Sequence, residues 1–219
     1  MPVAPTDRRQ CTKPMARPKD QTARRAHLMT AALDAIRSRG VASLRIRDVA
    51  EAAGVSTGTV HYYFDDLDQL LFEVHTAACD RFYADRLAAI SELDDARDKL
   101  ATMIASGLPT SRDDAMAIAM YEIDVYKLGN PVHALLHRGL YDRQVALYHG
   151  ILELGRSQGH FTFDVPVVDV AQNMVALEDA YGLHVISGNQ SLPVDRCAEL
   201  IVGYARTVTG CAELTASPV

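Results

Sequence analysis

From Leu28 onward, apolar residues return every three or four positions, the period of helices with one buried face. Leu28, Ala31, Ala32, Ala35 and Ile36 form the first such stripe, and Gly40 ends it. Val49, Ala50 and Ala53 form the next, on a short helix where the small Ala50 suits a close crossing. Gly54 follows at once, a residue type that takes positive φ and stops a helix in a tight turn. Ser56 then offers a hydroxyl cap to a third helix. There Val60 and Tyr63 face inward, while Ser56, Thr57, Thr59, His61 and Tyr62 stay outside. Asp65 or Asp66 caps a long fourth helix carrying Leu70, Leu71, Val74, Ala77 and Ala78. Further helices fit residues 94–107, 112–128, 132–157, 166–187 and 194–209. Gly107-Leu108-Pro109, Gly129-Asn130-Pro131, Gly159 to Pro166 and Gly188 to Pro193 mark the breaks between them. Only Phe161-Thr162-Phe163 alternates like a strand, and it is too short to found a sheet. The expected fold class is all-α, with the fourth helix connecting a small head to a larger body.

Charge changes the picture of the head. The formal net charge is −6, an unpromising value for a partner of nucleic acid. It is unevenly distributed: residues 1–60 carry +6 and residues 61–219 carry −12. The basic charge therefore sits with the short helices, as phosphate binding requires, and the acidic remainder is repelled from a duplex. Residues 1–20 hold Pro2, Pro5, Pro14 and Pro18 among Arg8, Arg9, Lys13, Arg17 and Lys19. They read as a flexible basic arm, either a solvated tail or a reach into a minor groove.

Composition adds limits. With 48% hydrophobic content over 219 residues the chain can bury a large core in one or two domains. It has no apolar run of membrane-spanning length and nothing like a signal peptide, so a soluble, cytoplasmic protein without membrane partners is expected. Cys11, Cys79, Cys197 and Cys211 show no paired spacing and read as reduced, unliganded thiols.

The segment Arg47-Asp48-Val49-Ala50-Glu51-Ala52-Ala53-Gly54-Val55-Ser56-Thr57-Gly58-Thr59-Val60-His61-Tyr62-Tyr63-Phe64 has the form of a DNA-binding helix-turn-helix. From Thr22-Ala23-Arg24-Arg25 to about Leu71 it resembles the N-terminal domain of the TetR family of bacterial transcriptional regulators. The resemblance covers less than a quarter of the chain. It implies that the third helix enters the major groove, with Thr57, Gly58, Thr59, His61 and Tyr62 facing DNA beside the capping Ser56, and Tyr63 near the backbone. Arg24, Arg25, Arg45 and Arg47 are the candidate phosphate partners. The sequence departs from the family twice. Asp65-Asp66-Leu67-Asp68 stands where a phosphate-contacting lysine is usual, and Arg45 replaces the usual threonine cap of the second helix. Met15-Ala16-Arg17-Pro18 resembles the beginning of many related regulators, which marks Met15 as an alternative start.

The same resemblance implies a homodimer on palindromic double-stranded DNA and a cavity for a small-molecule inducer in the body. Two stripes suit subunit pairing: Cys197, Leu200, Ile201, Tyr204 and Val208, and Val167, Val170, Ala171, Met174, Leu177 and Tyr181. Both also fit the subunit's own core. The middle helices carry more methionines and polar-tipped aromatics than a plain core needs. Met103, Met116, Met120, Tyr121, Tyr126, His137, Tyr141, Met174 and Asp179 are the candidate pocket residues; His133, Tyr148, Phe161, Phe163 and His184 belong to the same set. Each fits core or surface placement as well. Leu177-Glu178-Asp179-Ala180-Tyr181-Gly182-Leu183 resembles regulators that sense choline or betaine, and Asp179 and Glu122 are carboxylates able to balance a cation.

His133 and His137 have zinc-compatible spacing but neither a Glu in the H-E-x-x-H position nor an evident third ligand. The chain carries no nucleophile-elbow motif, phosphate-binding Gly loop or oriented Cys/His pair. No catalysis, metal or cofactor is expected. The domains expected are the arm, a DNA-binding head over 21–66, a ligand-binding and dimerisation body over 67–212, and a tail over 213–219. The expected function is a repressor released by its inducer, the alternatives being an activator of the same fold or an all-α protein binding a metal or small molecule.

Overall fold

Local capping sets the ends of most helices. The computed structural model describes residues 18–216, and within them nine α-helices follow one another: α1 (Pro18–Arg39), α2 (Ile46–Ala52), α3 (Thr57–Tyr63), α4 (Leu67–Ser91), α5 (Ala96–Ser106), α6 (Ala115–Tyr126), α7 (Pro131–Ser157), α8 (Val167–Ile186) and α9 (Val194–Thr209). A 3-10 turn, Val41–Ser43, joins α1 to α2. Ser56 Oγ accepts from the Thr59 amide, and Asp66 Oδ1 from that of Gln69. Asp114 and Asn130 cap α6 and α7 in the same way, with Pro131 opening α7. Each cap satisfies a donor that the helix itself cannot. Pro18 to Asp20 belong to α1 rather than to an arm, and the rest of the expected arm lies outside the described residues.

Two buried clusters organise the chain. The head's core joins Leu28, Ala32 and Ile36 of α1, Val49 and Ala50 of α2, Val60 of α3, and Leu70 and Leu71 of α4. Gly54, at φ +64°, makes the turn between α2 and α3. The same core takes in Ala119 and Ile123 of α6, both fully buried, which sequence proximity does not suggest. The body's core joins Leu100 and Ile104 of α5, Tyr148 and Leu152 of α7, Val170, Met174 and Val175 of α8, and Ile201 and Val202 of α9.

The two stripes expected to pair subunits are corrected by this packing. Val167, Val170, Ala171 and Met174 on α8, with Cys197 and Ile201 on α9, are buried within the subunit, and Leu177, Tyr181, Tyr204 and Val208 lean on the same core, whereas Leu200 is half-buried outside it. What α8 leaves outside is a different line: Val168, Ala176, Ala180 and Leu183. Among the described residues no strand forms, and Phe161-Thr162-Phe163 makes two backbone bonds, Phe161 N–H to Gly155 O at 3.2 Å and Thr162 N–H to Thr209 O at 2.9 Å. Cys79, Cys197 and Cys211 are free and buried. Burial pushes the Cys79 thiol up to about 12, so it is an inert packing group.

Candidate nucleic-acid interface and ligand cavity

The exposed face of α3 presents Thr57, Gly58, His61 and Tyr62, the last with 70% of its surface open. Tyr62 meets Tyr63 edge to face at 5.0 Å between centroids, and Gln21 lies 3.5 Å from its hydroxyl. Ser56 and Thr59 are less free. Their hydroxyls lie 3.0 Å apart while Ser56 also caps the helix, so both act first to hold α3 in place. Arg24, Arg45 and Arg47 are exposed.

Arg25 departs from the expected set of free phosphate partners. Its guanidinium forms a paired contact with Glu73 of α4, donates to the Tyr63 carbonyl and lies 4.4 Å over the Phe64 ring. The bond to Glu73 raises its pKa further. Arg25 therefore braces the end of α3 against α4. The acidic run after the aromatics is also structural: Asp66 caps α4, and Asp68 pairs with Lys127, just past the end of α6, at 2.7 Å. Asp48 has a similar duty, its Oδ2 accepting from the Arg45 amide at the start of α2.

A cavity of about 390 Å³ opens in the body, walled by α4, α6, α7, α8 and the segment between α5 and α6. Six of the expected pocket residues line it: Met116, Met120, Tyr121, His137, Tyr141 and Asp179. Three do not. Met103 and Met174 are fully buried in the body's core, where flexible thioethers fill gaps, and Tyr126 stands exposed beyond the last turn of the wall. Phe82, Asp85, Arg86, Asp124, Leu140 and Gln144 also line the cavity and were not expected. Phe82 and Arg86 are four apart on the connector α4, so they share a face. That face could have been noted in the sequence, but not that it turns toward the body.

Two polar clusters shape the walls. Asp124 Oδ2 lies 2.9 Å from His137 Nδ1, and its Oδ1 lies 3.3 Å from His75 Nε2. Burial works to raise the Asp124 carboxyl, but the two imidazoles outweigh it and hold it at about 2. Its bond to His137 raises that imidazole in turn. His133 turns the other way, stacking on His75 with their Nδ1 atoms 3.1 Å apart, and burial lowers its pKa. The two α7 histidines thus have separate partners, and among the described residues no three metal-ligating side chains converge.

Behind the cavity Arg86 is almost wholly buried. It bonds Gln144, the Met103 carbonyl at 2.9 Å and Glu178 at 2.8 Å. Tyr148 donates to the same Glu178 oxygen. Burial lifts the Glu178 carboxyl to about 7 against the pull of Arg86. A side chain on Gly107 would fall 2.0 Å from Glu178 Oε1, so only glycine admits this carboxylate beneath the end of α5.

Helix α6 belongs to both sites. Met116, Met120, Tyr121 and Asp124 face the cavity, and Ala119 and Ile123 are buried in the head's core. Glu122 Oε2 accepts the Val41 amide at 2.6 Å, at the start of the 3-10 turn.

The profile of the family described as "Bacterial regulatory proteins, tetR family" matches residues 28–74, the helix-turn-helix just described. The chain is 25% identical over 154 residues to the HTH-type transcriptional repressor KstR2 of Rhodococcus jostii, covering 68% of this chain and 76% of that protein. Its fold matches a transcriptional regulator from Saccharomonospora viridis in complex with choline, with TM-score 0.78, 24% identity, and 86% and 98% of the two chains covered. It also matches FadR of Bacillus subtilis in complex with stearoyl-CoA, with TM-score 0.64, 21% identity, and 81% and 97% covered. No helix among the described residues is long and apolar enough to cross a membrane. Residues 28–74 therefore match the tetR-family DNA-binding head, and the all-helical body has the fold of the transcriptional regulators to which the chain is similar.

Proposed function

We propose that the protein is a ligand-responsive repressor that holds a palindromic operator as a homodimer and leaves it when a small molecule fills the cavity. The carrying observation is the double duty of α6, one face walling the cavity and the other buried in the head's core. A ligand pressing on Met116, Met120 or Tyr121 therefore acts on a helix that the head cannot ignore. It need only favour a dimer whose recognition helices are wrongly spaced for successive major grooves, about 34 Å apart. Linkage then requires operator and ligand to weaken each other by one factor.

Dimerisation follows from the task, because one seven-residue recognition helix reads too few base pairs to bind tightly. The outer line of α8, Val168, Ala176, Ala180 and Leu183, is the face we assign to the partner subunit. Thr57, His61 and Tyr62 are assigned to base edges, and Arg24, Arg45 and Arg47 to phosphates. A protein with this task works in the cytoplasm, where the DNA is.

The test is a fluorescence-anisotropy titration of DNA flanking the protein's own gene, repeated across salt concentrations. Binding should weaken steeply with salt, and Arg47→Ala should lower the slope of log K against log salt by about one. Tyr62→Ala should cost about 1–3 kcal/mol with the fold intact. Wild-type affinity in the Tyr62 variant, or a flat salt dependence, rejects this face as the reader. A reporter gene that falls rather than rises when the regulator is deleted identifies an activator instead.

A further inference from the structure

We propose that the cavity selects an organic monocation, held by Asp179 and Asp124 between the rings of Phe82, Tyr121 and Tyr141; this rests on the reading of the cavity as the inducer site.

The lining carries four carboxylates, Asp85, Asp114, Asp124 and Asp179, against Arg86 and His137. The two bases are already occupied. Arg86 is paired with Glu178, behind the wall, and His137 with Asp124. Three of the acids are occupied as well, Asp124 by His137 and His75. Asp114 accepts from the amides of Thr110, Met116 and Ala117 at the start of α6, and Asp85 faces outward toward Arg81 at 3.4 Å. Asp179 remains. Its carbonyl accepts from the Tyr121 hydroxyl at 3.0 Å, but its carboxylate makes no hydrogen bond or ion pair among the described residues. It stands in a mostly apolar recess beside Asp124, whose ionised state is assured by two imidazoles. Asp179 keeps an exposed outer surface, and the raised pKa of its carboxyl shows that the desolvating walls and Asp124 outweigh the pull of His137 and Arg86, so it would gain from a further counter-ion.

The apolar walls choose the kind of cation. A small inorganic ion needs a ring of oxygen ligands that this lining does not assemble. An alkylammonium needs less: one or two carboxylates at a distance and aromatic faces against its polarised methyl groups. Tyr121, Tyr141 and Phe82 are aromatic rings of the lining, with Arg86 5.1 Å from the Phe82 centroid. Met116 and Met120 add a compliant floor. Arg86 offers no donor to an anionic headgroup, because its terminal nitrogens are bonded within the wall and Nε has no accessible surface. The same charge balance argues against a carboxylate or acyl-CoA ligand.

The experiment is calorimetric titration of the purified full chain with four probes: choline, benzyltrimethylammonium, 3,3-dimethylbutan-1-ol (the neutral carbon isostere of choline) and decanoate. Both cations should bind, choline at least tenfold more tightly than its isostere, and decanoate should not. In Asp179→Asn, which removes no contact made by the carboxylate, the preference for choline should fall about tenfold, while Asp164→Asn, at an exposed carboxylate outside the lining, should retain it. The melting temperature without ligand checks that both variants fold. Equal binding of the isostere, stronger binding of decanoate, no binding of either cation, or an unchanged preference in Asp179→Asn overturns the proposal. Operator release is read separately, by anisotropy. A cation that binds without releasing operator refutes the inducer reading and leaves the ligand class standing; release by decanoate alone does the reverse.

Discussion

Arg86 and Glu178 form a charge pair with nearly no solvent, and the pair is unequal in its bonds. Arg86 has three acceptors within 3 Å, whereas Glu178 Oε2 receives no donor. Removing the cation strands a carboxylate in the core, so Arg86→Met should destabilise by about 3–5 kcal/mol. Arg86→Met with Glu178→Gln should recover much of that, because the stranded charge goes too. Urea denaturation of the wild type, both single variants and the double variant checks it. The pH dependence follows from the raised carboxyl. Folded Glu178 titrates near 7 against 4.5 when exposed, so the folded state binds more protons between those values. Its contribution to stability is full below about 4.5 and is lost as pH rises through about 7. Glu178→Gln should flatten that part of the stability profile. At this scale the sequence was partly legible. Polar-tipped Tyr121 and Tyr141 announced a cavity, but Met103 and Met174 looked the same as Met116 and Met120, since an unbranched thioether suits core and pocket equally. Asp124 had no signal, because its partners His75 and His137 come from two other helices.

Helix boundaries were more legible than helix neighbours. Caps and breakers are local, so 132–157, 166–187 and 194–209 come within a residue of α7, α8 and α9 at each end. The reach of α6 into the head is not local. Ala115 to Ile123 is apolar on nearly every side, which leaves no stripe to say which face meets what. Glu122 gives the contact a handle, since its carboxylate holds the Val41 amide. Glu122→Ala should leave cavity and recognition helix intact and loosen the link between them. Operator affinity without ligand and ligand affinity without operator should both stay near wild type, while the coupling, typically about 1–3 kcal/mol, should shrink. Paired anisotropy titrations with and without ligand measure it; undiminished coupling would show that α4 alone transmits the signal.

For the molecule as a whole, the division of charge was the clearest sequence signal, and the dimer face was the least clear. α8 is apolar on several sides, and its most regular stripe proved internal because α7 and α9 cover it. The residues left outside include Leu183, half exposed on a helix otherwise well packed. If that line meets a second copy, Leu183→Glu would set two carboxylates near one another in an apolar contact. The variant should elute as a monomer with the helical signal of the wild type. Its operator complex should vanish at concentrations where the wild type is bound. A dimeric Leu183→Glu protein would move the interface elsewhere.

The burial of Ala119 and Ile123 beneath α1 bears on how such regulators can be recombined. A crossover just after Phe64 looks natural from the order of the helices, yet it would give a grafted head a foreign surface in place of two side chains of its own core. Exchange between relatives should succeed where the donor's counterparts of Gly40, Val41 and Glu122 travel together. The unit of inheritance is then a head with a distant fragment of its own floor, and not a contiguous stretch of gene.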